Sequence, residues 1–131
     1  MENNFSHSLV SEAESRLLPG HIEVGVRIPW YRALPLSVVE VAELRVDGRP
    51  VPPEDMTWTL NGRTFPLSAL PDLVGESWFV LDTAFIRVKT GADPAKAHEV
   101  GLQLNLYPPY IPGLTWVTRA TRTLSPTPVS V

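Results

Sequence analysis

Cysteine is absent from the 131 residues, which excludes disulfides, thiolate metal sites and a thiol nucleophile together. This absence also fits the cytoplasm, where we expect the protein to reside. Basic side chains are few and dispersed: the formal charge is −3, and no basic stripe of the kind that contacts phosphates is present. No segment approaches the roughly 18 consecutive apolar residues of a membrane span, and no signal-peptide pattern opens the chain. We therefore expect a soluble, unexported protein with neither a nucleic-acid partner nor a membrane.

Known catalytic and metal-binding spacings are missing as well. The histidines, His7, His21 and His98, fit no H-x-H or H-E-x-x-H pattern, and no serine lies in a G-x-S-x-G elbow. Glu40 and Glu43 stand three apart in a predicted strand, which places them on opposite faces rather than in a catalytic pair. His98 opens a predicted strand, where a structural hydrogen bond is the ordinary interpretation and a chemical role the alternative. We expect no catalytic residue, metal or cofactor site in this chain.

Proline, in contrast, is abundant. Fourteen of the 131 residues are proline, about twice the ordinary usage of 5%, and they separate short apolar runs as strand boundaries do. Alternation of apolar and polar residues predicts strands over 22–28, 84–89 and 98–107, the last of them central in its sheet. We also expect strands over 78–81 and 116–124. These patterns indicate an all-β protein.

Two dipeptides predict tight hairpins. Asp47-Gly48 and Asn61-Gly62 each stand between apolar runs and supply the positive φ angles of a type I′ turn. Before the first of them, the apolar residues change parity between Val41 and Leu44. Such a change indicates a bulge or a corner between two strands.

The number of turns and strands defines the expected architecture. About eight strands, with no long helix and no repeat, predict a single antiparallel β-sandwich or jelly-roll-like domain over residues 21–124. Residues 1–20 are polar and contain the only helix-compatible stretch, so we expect an N-terminal arm. Residues 125–131 are expected to form a flexible tail.

The segment most typical of molecular recognition covers residues 27–37, RIPWYRALPLS. Its two prolines fix φ and bias the preceding residues to extended geometry, which stiffens the segment between them. Trp30, Tyr31 and Arg32 are residue types enriched at binding hot spots. The structural alternative is that Trp30 or Tyr31 closes one end of the sandwich core. A second proline-framed aromatic loop follows at 108–113.

Four segments in order carry a family resemblance. They are residues 27–37, 44–48 (LRVDG), 60–65 (LNGRTF), and Trp78 with 86–89 (IRVK) and 98–100 (HEV). Together they are similar to the small β subunit of bacterial C-glycoside deglycosidases, over roughly residues 20–112. The first segment is the most specific, and the sequence departs from the family pattern at 91–97 and 105–110.

The resemblance implies a β-sandwich subunit that assembles with a larger α subunit, similar to sugar-isomerase-type TIM barrels, in a hetero-oligomer. It implies a lyase reaction on an aromatic 3-oxo-C-glycoside, in which the bond between the sugar and a flavonoid-like aglycone is cleaved. The base and a divalent metal, Mn or Mg, are then expected in the larger subunit. The residues of this chain expected at the substrate-pocket rim or the subunit interface are Trp30, Tyr31, Arg32, Tyr107 and Tyr110.

Two other classes of function stay open from the sequence. A carbohydrate-binding module would also be a small acidic sandwich with exposed aromatic residues, and it would bind sugar without a partner. A structural assembly protein would use the same apolar edges only to associate, and it would have no ligand.

Overall fold

The computed structural model describes residues 5–126. Within this range the chain forms eleven strands and four short 3₁₀ helices. The strands are β1 (Val10–Leu18), β2 (His21–Arg27), β3 (Leu34–Pro35), β4 (Val39–Val46), β5 (Arg49–Pro50), β6 (Met56–Leu60), β7 (Arg63–Pro66), β8 (Ser77–Trp78), β9 (Thr83–Lys89), β10 (His98–Leu106) and β11 (Trp116–Leu124). The 3₁₀ helices are Ser6–Ser8, Leu36–Val38, Pro53–Asp55 and Leu67–Asp72. Among these residues no helix has the length and apolar character of a membrane span.

The described strands form two large antiparallel sheets and one small one. The first has the order β1-β2-β9-β6-β7, the second the order β11-β10-β4-β5, and β3 pairs with β8. The inward side chains of both large sheets form one buried cluster, for example Val24 and Ile86 from the first sheet and Leu44 and Leu104 from the second. The prediction of an all-β antiparallel sandwich is therefore confirmed. Eight of the strands in residues 5–126 have four or more residues, which matches the expected number.

β10 follows the predicted alternation closely. Val100, Leu102, Leu104 and Leu106 are buried, while the residues between them face outward. β10 also lies between β11 and β4, so its central place in the sheet is confirmed. Period-2 alternation succeeds here because one face of the strand meets the core along its whole length.

Both predicted hairpin turns are present. Asp47 and Asn61 have φ angles of 50° and 51°, and Gly48 and Gly62 follow at 82° and 80°. The second hairpin joins β6 to β7 as predicted, whereas the first returns only through the two residues of β5 before prolines end it.

The parity change in β4 is a β-bulge. Glu43 pairs with Gln103 and Val41 with Leu104, so Ala42 is the extra residue. The bulge corrects one prediction: Glu40 and Glu43 face the same outer side of the sheet, because Glu40 pairs with Asn105.

Residues 10–18 correct the expectation of a polar, helix-compatible arm. They form β1, which pairs with β2 at the edge of the five-stranded sheet. The register shifts between Ser11 and Arg16, and Ser15 Oγ accepts the Gly25 amide at 2.9 Å. The strand was missed because an edge strand that bulges over its neighbour does not need regular alternation. Residues 1–4 of the predicted arm and 127–131 of the predicted tail lie outside the described residues.

The apolar run 78–81 was also assigned incorrectly. Only Ser77 and Trp78 pair, in β8, and residues 79–82 form a turn closed by the Asp82 amide on the Phe79 carbonyl at 3.0 Å. A continuous apolar run is typical of a buried strand, but only Trp78 of this run is buried, and the side chains of residues 79–81 are exposed.

Candidate functional site

Three loops meet at one end of the sandwich. Arg27 pairs with Thr83 and Leu34 pairs with Trp78, so the loops that leave these strand pairs run side by side. A third loop lies beside the first, because its Tyr110 accepts a hydrogen bond from Trp30. Trp116, directly after that loop, donates to the Pro29 carbonyl. The three are the β2–β3 loop (28–33), the β8–β9 loop (79–82) and the β10–β11 loop (107–115).

An aromatic cluster holds the first and third loops together. The indole Nε1 of Trp30 donates to the Tyr110 hydroxyl at 2.6 Å, and its ring packs edge-on to Trp116 at a centroid distance of 5.2 Å. Trp116 Nε1 donates to the Pro29 carbonyl at 2.9 Å. Phe5 extends the cluster against Trp116 at 6.5 Å. These contacts fix the β2–β3 loop on a rigid base.

The cluster separates the two interpretations of the predicted aromatic residues. Trp30 is 7% exposed and belongs to the buried core, as in the structural interpretation. Tyr31 is 65% exposed and stands against Trp30 at a ring distance of 5.0 Å, and Arg32 is exposed beside it. Trp30 therefore supports the loop, while Tyr31 and Arg32 are presented to solvent.

Arg32 and Tyr110 form the polar part of this surface. The Arg32 guanidinium carbon lies 5.0 Å from the Tyr110 ring centroid, in cation–π geometry. No carboxylate of residues 5–126 pairs with Arg32. Hydrogen bonding with Tyr110 and slight burial raise the pKa of the Tyr31 phenol, and Arg32 opposes this effect. The surface offers a guanidinium and phenol hydroxyls, which suits an aromatic ligand with phenolate or hydroxyl oxygens.

Tyr107, the fifth predicted site residue, has different neighbours. Its hydroxyl donates to Glu40 at 2.7 Å, and the Asn105 amide donates to the same carboxylate at 2.9 Å. The bond to Glu40 raises the pKa of Tyr107. Its side chain lines a separate cavity of about 340 Å³ between β4 and the Leu67–Asp72 helix. The structure therefore brings together Trp30, Tyr31, Arg32 and Tyr110, and it leaves Tyr107 outside the cluster.

His98 lies at the opposite end of the sandwich. β2 and β10 both run toward the aromatic cluster, and His98 is the first residue of β10. Its Nδ1 is 2.6 Å from an Asp47 carboxylate oxygen, and its Nε2 is 2.6 Å from the Asp93 carbonyl. This is the structural role that the sequence offered as the ordinary interpretation. Among residues 5–126, no group of three or more histidine and carboxylate side chains is arranged to hold a metal ion.

Two parts of this end of the molecule were not predicted as site residues. Trp116 contacts Pro29 across 87 residues of sequence, and no local pattern indicates such a pairing. The exposed apolar turn at 79–81 was read as a strand because its residues are consecutive and apolar. The prolines on both sides of Tyr110, at 108, 109 and 112, were the sequence signal for the β10–β11 loop.

The sequence of this chain is similar to those of known proteins. The sequence profile of the C-glycoside deglycosidase beta subunit family matches residues 15–110. A C-glycoside deglycosidase beta subunit of Arthrobacter globiformis is 46% identical over 93 residues, which cover 70% of this chain and 71% of the relative. Another of Microbacterium trichothecenolyticum is 42% identical over 88 residues, 67% of each chain. A 3'-dehydrocarminate deglycosidase beta subunit of a Microbacterium species is 38% identical over 87 residues, 66% of each. The chain belongs to the C-glycoside deglycosidase beta subunit family.

Proposed function

We propose that this chain is the β subunit of a heteromeric enzyme that cleaves the carbon–carbon bond between a 3-oxo sugar and an aromatic aglycone. The observation that carries the proposal is the exposed pair Tyr31 and Arg32, fixed on the base of Trp30 and Tyr110 within a chain of this family. The family name implies a partner subunit. We place the assembled enzyme in the cytoplasm, in keeping with the absence of cysteine.

The chemistry is proposed to occur in the larger subunit, a barrel of the sugar-isomerase type. The 3-keto group acidifies the neighbouring C–H, and a base of the larger subunit removes that proton. The electron pair of that C–H bond forms a C=C bond in the sugar as the carbon–carbon bond to the aglycone breaks, and the released aglycone carbon takes up a proton. A divalent Mn or Mg bound in the larger subunit would supply Lewis-acid polarisation of oxygen. The described residues of this chain offer no such ligand group, so its own part is positioning and exclusion of water.

The β2–β3 loop is proposed to form part of the pocket rim. Tyr31 presents a flat face on which an aromatic aglycone stacks, and its phenol hydroxyl offers a hydrogen-bond donor. Arg32 meets a phenolate or hydroxyl of the aglycone, since it has no carboxylate partner among residues 5–126. Trp30 and Tyr110 are positioning residues, because they hold the loop by a 2.6 Å hydrogen bond.

Co-expression tests the assembly and the reaction. This chain and a barrel-type larger subunit are purified together, and aglycone release from a 3-oxo-C-glucoside is assayed with added manganese. We expect a stable hetero-oligomer that releases aglycone, with neither subunit active alone. A chain that stays alone and binds sugar directly would instead be a carbohydrate-binding module, and a complex without turnover would contradict the proposal.

Two exposed side chains test the rim. Tyr31→Ala and Arg32→Ala are expected to lower kcat/KM of the assembled enzyme about tenfold or more, because they remove contacts to the aglycone. Arg119→Ala is the matched control, since Arg119 is an exposed arginine on the outer face of the four-stranded sheet. Unchanged turnover by both rim variants would contradict the rim role. If both variants impaired assembly with the larger subunit rather than turnover, Tyr31 and Arg32 would be assigned to the subunit interface.

A further inference from the structure

The β8–β9 turn presents three consecutive apolar side chains to solvent. Phe79 is 55% exposed, Leu81 is 81% exposed, and Val80 between them is also exposed. Single exposed apolar residues are normal on a soluble protein, but a run of three in one turn is not, and it indicates a contact surface.

The backbone of this turn is held firmly from the protein side. The Arg27 guanidinium donates to the carbonyls of Val80 and Leu81, each at 3.4 Å, and to Thr83 Oγ1 at 3.0 Å. Trp78 Nε1 donates to the Asp82 carbonyl at 2.9 Å. Because the carbonyls are bonded inward, the apolar side chains are presented in a fixed arrangement, which lowers the entropy cost of binding.

The turn lies at the end of the sandwich where most of the large exposed hydrophobic residues are found. Seven of the eight large exposed hydrophobic residues within 5–126 lie in the three loops described above, and Val74 is the exception. We define the apolar end as Tyr31, Phe79, Val80, Leu81, Tyr110 and Ile111. Taking about 150–250 Å² for a whole side chain of this size, their exposed fractions leave about 600 Å². A standard interface buries about 800 Å² on each partner, of which somewhat more than half is apolar, so the apolar end has the area that a stable complex needs.

A beta subunit by name has a partner subunit, so we expect a different protein rather than a second copy of this chain as the occupant of the apolar end. The three loops carry only two charged side chains, Arg32 and Asp82. Asp82 already accepts the Asn61 amide at 3.1 Å. These loops therefore carry little charge, which suits the apolar core of an interface with that partner.

We infer that the apolar end is the surface on which the larger subunit docks, with the 79–81 turn inserted into an apolar recess of that subunit. This inference rests on the proposed function, which supplies the identity of the partner. The same contact places Tyr31 and Arg32 next to the larger subunit, where a rim residue must be.

The test uses the double variant F79S/L81S in the assembled complex. We expect the Kd for the larger subunit to rise at least about tenfold, because the variant removes two central apolar anchors. V74S is the matched control, an equally exposed apolar residue outside the three loops, at 76% exposure, and it should bind as the wild type does. The unfolding midpoint of each isolated variant is measured alongside and should match the wild type, because the substituted side chains are exposed.

The outcomes separate the inference from the proposed function. If the wild-type chains assemble and release aglycone while F79S/L81S binds as tightly as V74S, the docking surface is wrong and the function stands. If the wild-type chains do not assemble or do not react, the proposed function itself fails. Equal loss of binding in V74S would also overturn the inference, since general surface hydrophobicity would then explain the effect.

Discussion

His98 is held between two acceptors, and this arrangement determines its charge. Both ring nitrogens lie 2.6 Å from an oxygen, one of the Asp47 carboxylate and one of the Asp93 carbonyl, so only the imidazolium can donate to both. The bond to the Asp93 carbonyl, followed by that to the Asp47 carboxylate, raises the pKa of His98. The bond from His98, followed by that from the Glu99 amide, lowers the pKa of Asp47.

The raised pKa of His98 and the lowered pKa of Asp47 predict a pH range in which the fold is most stable. The raised pKa of His98 stabilises the fold fully below the unfolded value of 6.5, and this contribution is lost as pH rises through the folded pKa. The lowered pKa of Asp47 contributes above the unfolded value of 3.8 and is lost as pH falls through the folded pKa. We expect the free energy of unfolding to be highest between those values and to fall by about 1 kcal/mol on the alkaline side, as for a partly exposed charged hydrogen bond.

Urea unfolding from pH 4 to 9 measures this dependence, with His98→Gln as the comparison. The glutamine variant keeps hydrogen-bonding capacity but cannot titrate, so its alkaline decline should disappear. A wild-type protein that gains stability from pH 6 to 8 would contradict the assignment of His98 as a charged side chain bonded to Asp47 and to the Asp93 carbonyl.

At the scale of elements, local chemistry decided which predictions succeeded. The two hairpin turns were predictable because few residues other than glycine and asparagine or aspartate adopt consecutive positive φ angles. The bulge in β4 was visible as a parity change. β1 was not predictable, because its pairing depends on Ser15 reaching the Gly25 amide across a shifted register. In β1, tertiary contacts rather than the local sequence pattern determine that the residues form a strand.

The glycine of the second hairpin gives a test at this scale. Gly62 has a φ of +80°, so Gly62→Ala forces a side chain into the left-handed region, although no atom lies within 4 Å of the added Cβ. We expect a loss of about 1–2 kcal/mol in the free energy of unfolding. The urea midpoint measures it, with an unchanged m value.

Gly75→Ala is the matched control for this substitution. Gly75 has equal space around its Cβ but no positive φ, so its alanine variant should keep its stability within about 0.5 kcal/mol. If the two substitutions changed the free energy of unfolding equally, the positive φ of Gly62 would not be what stabilises this hairpin.

At the scale of the whole molecule, the sandwich divides into two dissimilar ends. One end carries the aromatic cluster and the exposed 79–81 turn. The other end carries His98 with its hydrogen bond to Asp47 and the turns at 19–20 and 47–48. The sequence predicted the individual residues Tyr31, Arg32 and Tyr110 from their types and flanking prolines. It did not predict that residues near positions 30, 80 and 110 meet, because strand order is set by long-range pairing that no local pattern encodes.

This division predicts a hydrogen-exchange footprint for the proposed complex. If the larger subunit covers the apolar end, amides in the loops 28–33, 79–82 and 107–115 should exchange more slowly in the complex, because docking excludes water and suppresses local opening. The turns at 19–20 and 47–48 are the internal control, since they lie at the opposite end and should exchange equally in the free and assembled chain. Mass spectrometry of peptides from both states gives the comparison in one experiment. Protection at the opposite end without protection at 79–82 would reverse the orientation of this subunit in the complex and would leave Tyr31 and Arg32 facing solvent, too far from the partner to line its pocket.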